Sequence, residues 1–438
     1  MASTQEGRGV TRRAFLRRGA AVAAAPYVLS ASVLGREAAR PPNDRIVMGS
    51  IGVGGRGRGD TQVFLASSET QVVAVCDVDR TRCDRVKKMV DDHYAAQRGK
   101  AGYRGCLATG DFREVLARDD IDAVMIATPD HWHALLSVLA ARAGKDIYCE
   151  KPMSVTVAEG RVVADTMARL GRIYQGGTQR RSVSHFRFAC ELVRNRRIGE
   201  LERIVEMLQP GPTCGPQPVP PVPEGFDYDR WLGPAPWAPY TPRRCHGSFR
   251  FVLDYSDGKI SDQGAHFIDI GQWANDTEDT GPIAFEGTGT FPADGLFNTP
   301  VTYHVTCTYA NGVEMVLNHE TVKGDWAIRF EGTDGWLLVT RHKLLASRPA
   351  LTEPLRSNEI HLRRSDHHWQ NFLDAVRTRT QPIAPAHILH RSHSICHWAL
   401  ICLRLGRTLR WDPGKERFVG DPAADQMLDR AHREPWIL

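Results

Sequence analysis

Residues 45–57 read Arg45-Ile46-Val47-Met48-Gly49-Ser50-Ile51-Gly52-Val53-Gly54-Gly55-Arg56-Gly57. A short apolar run enters a glycine turn, and a stretch of helical character follows from Asp60 to Ser67. Gly52, Gly54 and Gly57 satisfy the G-x-G-x-x-G spacing. That spacing lets the backbone turn tightly, lets a pyrophosphate approach bare peptide, and aims the first amides of a helix at negative charge. Gly55 and Arg56 belong to the same turn and join the candidate cofactor contacts. A second apolar run, Gln71 to Cys76, ends at Asp77, which lies 20 residues past Gly57. A carboxylate there suits the hydroxyls of an adenosine ribose, which favours NAD over NADP. Arg80 and Arg82 leave NADP open, and Asp77 also reads as a helix cap.

Working outward, strands and helices interleave. Asp79 to Asp92 and Phe112 to Leu116 read as helices, and Asp122 to Thr128 as a buried strand that opens into Pro129-Asp130-His131-Trp132-His133. A helix from Ala134 to Ala143 leads to a strand from Lys145 to Glu150. This alternation predicts a parallel, doubly wound sheet, whose ligands bind at the carboxyl edge of the strands. Thr128, Pro129 and His133 fall on that edge. His131 or His133 would contact the nicotinamide or its ribose, or simply cap the next helix. The last strand runs into Cys149-Glu150-Lys151-Pro152, where the proline limits Lys151 to extended or turn geometry. The ammonium then leaves the sheet edge in a defined direction, toward a ligand or toward a surface carboxylate. Glu150 and Lys151 are candidate cofactor contacts.

The second half has another texture. A helix from Val155 to Leu170, a basic helix from His185 to Arg197 and a strand from Glu202 to Leu208 precede residues 210–242, which hold eleven prolines. So many prolines exclude a helix or a central strand and predict a long loop or arm. Phe249 to Tyr255 reads as a strand. Ser261, a plausible N-cap, opens a helix in which Asp262 and His266, four apart, share a face. An imidazole beside a carboxylate is a tuned general base. Five strand-like segments lie between Ile283 and Thr340, with turns at Asn311-Gly312 and Asp334-Gly335 that read as hairpins. Two late helices close the chain, His367 to Thr378 and Pro385 to Leu405. The second carries His387, His390, His393 and His397, but no carboxylate joins their stripe, so no metal site is assigned.

The length of 438 residues predicts two domains, and 42% apolar with 24% charged residues is the balance of a globular protein. Of the formal charge of +5, residues 1–35 supply +4 (Arg8, Arg12, Arg13, Arg17 and Arg18 against Glu6). The rest is near neutral, which argues against nucleic acid as a partner. The ten cysteines are scattered without a Cys-x-x-Cys pair and predict no disulfide framework. Thr11-Arg12-Arg13-Ala14-Phe15-Leu16-Arg17, followed by a short apolar run, resembles a twin-arginine export signal, so residues 1–35 are expected to direct the protein to the periplasm, or otherwise to export it, through that machinery.

The G-x-G-x-x-G turn, the Thr128-Pro129 loop ending in His133, Glu150-Lys151-Pro152 and the Asp262-x-x-x-His266 helix together resemble the Gfo/Idh/MocA family (glucose-fructose oxidoreductase, inositol dehydrogenase and MocA) from about residue 44 to the C-terminus. The resemblance implies a Rossmann dinucleotide-binding domain over 44–175. It implies a substrate and oligomerisation domain over 176–438, built on a large, mainly antiparallel open-faced sheet, with the Pro-rich arm 210–242. It further implies NAD, with NADP possible, and a homo-oligomer acting on a secondary hydroxyl of a sugar, cyclitol or polyol. Lys151, Asp262 and His266 would be catalytic, and Tyr255 would join them against the substrate. An NAD-dependent glycosidase and a non-catalytic sugar-binding protein are the rival expectations.

Overall fold

A computed structural model of the chain describes residues 44–98 and 105–438; the expected export signal lies outside them. From Ile46 onward, strands β1 (Ile46–Ile51), β2 (Thr70–Cys76), β3 (Leu107–Thr109), β4 (Ala123–Ile126), β5 (Asp146–Cys149) and β6 (Tyr174–Gly176) alternate with helices. The helices are α1 (Gly55–Ala66), α2 (Arg80–Arg98), α3 (Phe112–Leu116), α4 (His133–Arg142) and α5 (Val157–Leu170). The strands pair in parallel in the order β3-β2-β1-β4-β5-β6. β4 and β5 are buried along their whole length, as strands covered on both faces must be. The order reverses between β1 and β4, which opens a crevice at their carboxyl ends. α5 starts where Thr156 accepts a hydrogen bond from the Glu159 amide and stops at Gly171, which is left-handed at φ +61°.

After α6 (Ser184–Arg194), β7 (Leu201–Met207) opens a sheet of nine strands. It is joined by β8 (Ala284–Thr290), β9 (Thr302–Thr308), β10 (Glu314–Asn318), β11 (Ala327–Gly332), β12 (Gly335–Thr340), β13 (Leu344–Ala346), β14 (Leu409–Asp412) and β15 (Arg417–Phe418). Only the β7–β10 pairing is parallel. The Rossmann-type layer followed by a mainly antiparallel sheet is the architecture expected, and both hairpins fall at the glycine turns. Between β7 and β8 the chain forms α7 (Tyr228–Leu232), α8 (Lys259–Asp262) and α9 (Gly264–Ala274). α6, α9 and a long late helix pack on one face of the sheet, while Glu286, Thr288 and His304 are exposed.

The two expected late helices are α10 (His368–Thr378) and α11 (Ala386–Leu405), and a short helix, α12 (Pro422–Asp425), follows them. α10 returns to the parallel sheet. Phe372 lies 6.1 Å from Phe64 and 5.9 Å from Tyr148, ring to ring, and Trp369 donates to Asp60 at 3.1 Å. The segment from Phe249 to Tyr255 is not a strand. It holds a short 3-10 turn, Ser248–Phe251, because Phe249, Val252 and Tyr255 are buried in an aromatic cluster with Phe226, Trp231 and Tyr240 and no strand lies beside them. All ten cysteines are free thiols.

Glu206 on β7 is fully buried, and neither carboxylate oxygen has a partner. Burial, then the charge of Asp269, pushes its pKa well above the usual range. The folded protein keeps this proton while the unfolded chain releases it near pH 4.5, so stability is lost as pH rises above that value. Glu206→Gln is expected to flatten this pH dependence, and Glu206→Met to stabilise the protein by roughly 1–3 kcal/mol near neutral pH. Denaturant midpoints measured from pH 5 to 9 check both; parallel curves for the variants and the parent would refute a protonated Glu206.

Candidate active site

The first cavity follows from the glycine turn. Gly52 is left-handed at φ +79°, and a Cβ there would stand 2.5 Å from the Thr128 amide nitrogen; a Cβ on Gly57 would stand 1.8 Å from the Gly52 carbonyl oxygen. Any side chain at either place would break the contact of β1, β4 and α1. α1 begins at Gly55 with no side chain capping it, so its first amides are free for a ligand. The cleft has a volume of about 350 Å³, and Gly52, Gly54, Gly55, Asp77, Thr128 and Pro129 line one side of it.

The Asp77 carboxylate accepts from the Val53 amide and the Asp79 amide, each at 2.9 Å. It therefore shapes the glycine turn as well as facing the cleft. Burial raises its pKa to about 6 against these two bonds. Arg82 reaches across to Gly54, whose Cβ would meet its Nη1 at 2.7 Å. The buried Thr128 hydroxyl has no partner. A bare glycine cradle and an uncapped helix start facing the same space fit a dinucleotide.

The far wall comes from the Pro-rich segment and its sequel. Phe226, Arg230, Trp231, His246 and Phe249 line the cleft opposite the glycines. This wall is tied down: the Asp227 amide donates to the Val78 carbonyl at 2.9 Å, the Arg80 amide to Gly225 at 2.9 Å, and the Trp132 indole to the carbonyls of Arg230 and Trp231, both at 3.1 Å. His131 belongs to this seam, with its Nε2 2.9 Å from the Trp231 carbonyl, and burial drives its pKa down to about 3. It lines neither cavity. Both nitrogens of His133 lie against backbone carbonyls, of Pro152 (2.6 Å) and Thr128 (2.9 Å). His133 thus joins the two loops while its ring borders the second cavity.

That second cavity, about 220 Å³, shares Arg56, Thr128 and Arg250 with the first and is also lined by Glu150, Lys151, Gln179 and His266. The lysine of the first layer and the histidine of the second therefore face one space. Arg56 pairs with Glu150 and with Asp60, both at 2.9 Å, and Gln179 donates to Glu150 at 2.8 Å. The Lys151–Pro152 peptide is cis. The Lys151 ammonium donates to the Asp262 carbonyl and, at 3.0 Å, to its carboxylate.

The expected Asp262–His266 dyad is not formed. α8 ends at Asp262 and α9 begins at Gly264, so the two residues do not share one helix, and Ser261 sits inside α8 instead of capping a helix. The Asp262 carboxylate turns to Lys151 (3.0 Å) and to Arg250 (2.9 Å), full cations that attract it more strongly than a neutral imidazole does. Burial works to raise its pKa, but Lys151 and Arg250 hold it below the usual carboxylate range. His266 is 8% exposed, and its Nδ1 is buried without a partner. Burial, then the charges of Lys151 and Arg180, push its pKa well below the ordinary value. The site therefore favours the neutral form of the ring.

Tyr255 departs from expectation too. It is fully buried, 4.9 Å from the His131 ring and 5.1 Å from Trp231, and it lines neither cavity. The histidines of α11 act as struts around the site. His393 accepts from the Met153 amide at 3.1 Å, and His397 lies 2.5 Å from Asp257 and 3.5 Å from Ser154. His390 faces Glu416 at 3.0 Å, and His387 faces Gln381 at 3.2 Å. Arg250 and Gln179, which border the site, carry no motif that a sequence reading would single out.

Residues 46–178 match the oxidoreductase family with an NAD-binding Rossmann fold, and residues 215–438 match its C-terminal alpha/beta domain. A glycosyl hydrolase family 109 protein of Shewanella sp. strain ANA-3 is 33% identical over 176 residues, which are 36% of this chain and 37% of that protein. A family 109 protein of Shewanella baltica is 35% identical over 132 residues, 30% of this chain and 27% of that protein. The chain thus matches only about a third of the length of these curated relatives. In fold it is similar to the WlbA dehydrogenase of Bordetella pertussis in complex with NADH and UDP-GlcNAcA (TM-score 0.61, 15% identity, covering 84% of this chain and 99% of the other). It is also similar to the aldose-aldose oxidoreductase of Caulobacter crescentus (TM-score 0.60, 17% identity, 84% and 99% covered). The parallel sheet with its glycine cradle and the mixed sheet behind it therefore have one reading: the chain belongs to the Gfo/Idh/MocA oxidoreductase family and is an enzyme with an NAD-binding Rossmann domain.

Proposed function

We propose that the protein oxidises or reduces a secondary hydroxyl of a carbohydrate or related polyol, with Lys151 and His266 acting on the same substrate oxygen. The observation that carries this reading is their common cavity, which opens onto the glycine cradle through Arg56, Thr128 and Arg250. A nicotinamide bound in the cleft would supply the hydride acceptor, or in reverse the donor, for the carbinol carbon. Lys151 donates a hydrogen bond to the oxygen and stabilises its developing charge, while Asp262 fixes the direction of the ammonium. His266, held neutral, takes the hydroxyl proton at a ring nitrogen, or returns it in the reverse direction. Gly52, Gly54, Gly55, Arg56, Asp77, Thr128, Pro129 and Glu150 would hold the dinucleotide. Export by the twin-arginine route to the periplasm, and association of copies through the open face of the nine-stranded sheet, complete the proposal.

One observation favours a second outcome at the same residues. The cleft's far wall is tied to the first layer by main-chain bonds, which supports a dinucleotide that stays bound between turnovers. A retained cofactor suits a cycle that ends as it began: transient oxidation, elimination of an aglycone, hydration and re-reduction. Such a glycosidase is consistent with the family 109 relatives. Mass spectrometry of the cofactor released from natively purified protein, followed by a polyol and glycoside screen, separates the outcomes. Net oxidation gives absorbance at the reduced-nicotinamide band. Hydrolysis releases aglycone without it. Protein with neither bound dinucleotide nor affinity for one would refute both.

A further inference from the structure

Arg180 follows Gln179, which lines the second cavity, and stands outside that lining itself, close enough for its charge to act on His266. It sits in the short 3-10 turn Gln179–Ser182 with its guanidinium over Phe186 (5.4 Å) and Trp326 (5.6 Å). Its Nε is buried without a partner, and among the described residues no carboxylate stands within 4 Å of it. Its neighbours are treated differently. Arg181 binds Asp269 and Glu278, Arg194 binds Asp276 and Glu278, and Arg197 binds Glu359. A guanidinium half removed from water and left unpaired loses solvation with only two aromatic faces in return. Burial, then the exposed Arg341, pull its pKa down, with Asp325 the one acid acting against them.

Trp326 links this arginine to the site, since its ring is 6.1 Å from His266. Around the same histidine, Lys151 (3.0 Å), Arg250 (2.9 Å) and Lys259 (3.9 Å) all lean on one carboxylate, Asp262. The other acids bordering the cavity are already engaged: Glu150 by Arg56 and Gln179, and Asp130 by the Ser256 hydroxyl at 2.5 Å. Among the described residues Arg180 is the cation acting on His266 that no carboxylate holds.

We infer that the substrate supplies the missing charge: it is an anionic carbohydrate, bearing a carboxylate, sulfate or phosphate ester that Arg180 binds, with Arg341 beside it. This rests on the proposal that the Lys151–His266 cavity takes a carbohydrate. A planar guanidinium meets all three groups with paired, charge-assisted hydrogen bonds, and the stacking on Trp326 and Phe186 presets its plane.

The test uses the full-length holoenzyme with D-glucose, D-glucuronate, glucose 6-sulfate and glucose 6-phosphate, each free and as an aryl glycoside, read for both absorbance and aglycone. Wild-type kcat/KM is expected to favour at least one anionic sugar by about tenfold or more, and Arg180→Gln to lower that anionic-to-neutral ratio by about tenfold, mostly through KM. Arg180→Lys, which keeps the charge and the stem, is expected to recover part of the ratio. The preferred member of the panel identifies the anionic group. Equal use of neutral and anionic sugars, or an unchanged ratio in Arg180→Gln, overturns the inference and leaves the proposed chemistry standing. A parallel thermal-shift titration with D-glucuronate needs no turnover. Stabilisation of the wild type but not of Arg180→Gln, in protein that turns over no sugar, upholds the anion site and refutes the reaction; no shift and no turnover refute both.

Discussion

Lys151→Met is expected to lower kcat by about 10²- to 10⁴-fold while the purified protein keeps its dinucleotide. Lys151 enters from the carboxyl end of β5, and among the described residues its ammonium is the one lysine cation bordering both Asp262 and the His266 cavity. Methionine keeps an unbranched apolar stem only one atom shorter and removes the charge and its donors. The cofactor cradle lies on the neighbouring strand ends, so dinucleotide released from the variant and measured by mass spectrometry should match the parent. Asp262 remains paired with Arg250 at 2.9 Å, which protects the fold from an orphaned carboxylate. Lys151→Arg should recover part of the rate, because the charge returns with a wider head group. A kcat within about threefold of the parent in Lys151→Met would remove this residue from the chemistry.

His266→Gln is expected to cost a comparable factor, about 10²- to 10⁴-fold in kcat, and to change the shape of the pH profile. In the parent, the depressed pKa keeps the imidazole neutral at neutral pH and below, so kcat/KM for oxidation should stay level as pH falls past 6.5. It should drop only when pH falls through the lowered value, where the ring gains its proton and can no longer act as a base. The glutamine variant loses that acid limb, and its residual oxidation should rise with pH as hydroxide takes over the proton. In His266→Gln, an acid limb that levels off to a plateau at the parent's midpoint, instead of a rise that continues with pH, would assign the base to another group.

Much of this was legible in the chain because local rules suffice for it. The β1 turn declares itself through Gly52 and Gly57, each of which touches main chain where a Cβ would stand. The antiparallel hairpins follow from Asn311-Gly312 and Asp334-Gly335. The site's partners did not follow, because they are set by charges distant in sequence. Asp262 and His266 are four apart, but a lysine 111 residues upstream captures the carboxylate, and Gly264 starts a new helix before the spacing can act. Tyr255 and the Phe249 segment look like a strand by composition. Their aromatic rings instead build the wall against His131 and Trp231, a use that only the tertiary packing reveals. Arg250 lies in that irregular wall, where no periodicity marks a residue as facing a ligand.

The return of α10 to the parallel sheet bears on how the protein is made. A nascent chain that has emerged only to residue 178 leaves Phe64 and Tyr148 without Phe372, and Asp60 without the Trp369 indole. Asp146 at the start of β5 likewise waits for Arg379. The first half therefore cannot complete its packing until the chain has emerged past Arg379. Cutting the gene at the boundary between the two sheets would yield a sticky fragment in place of a free-standing module.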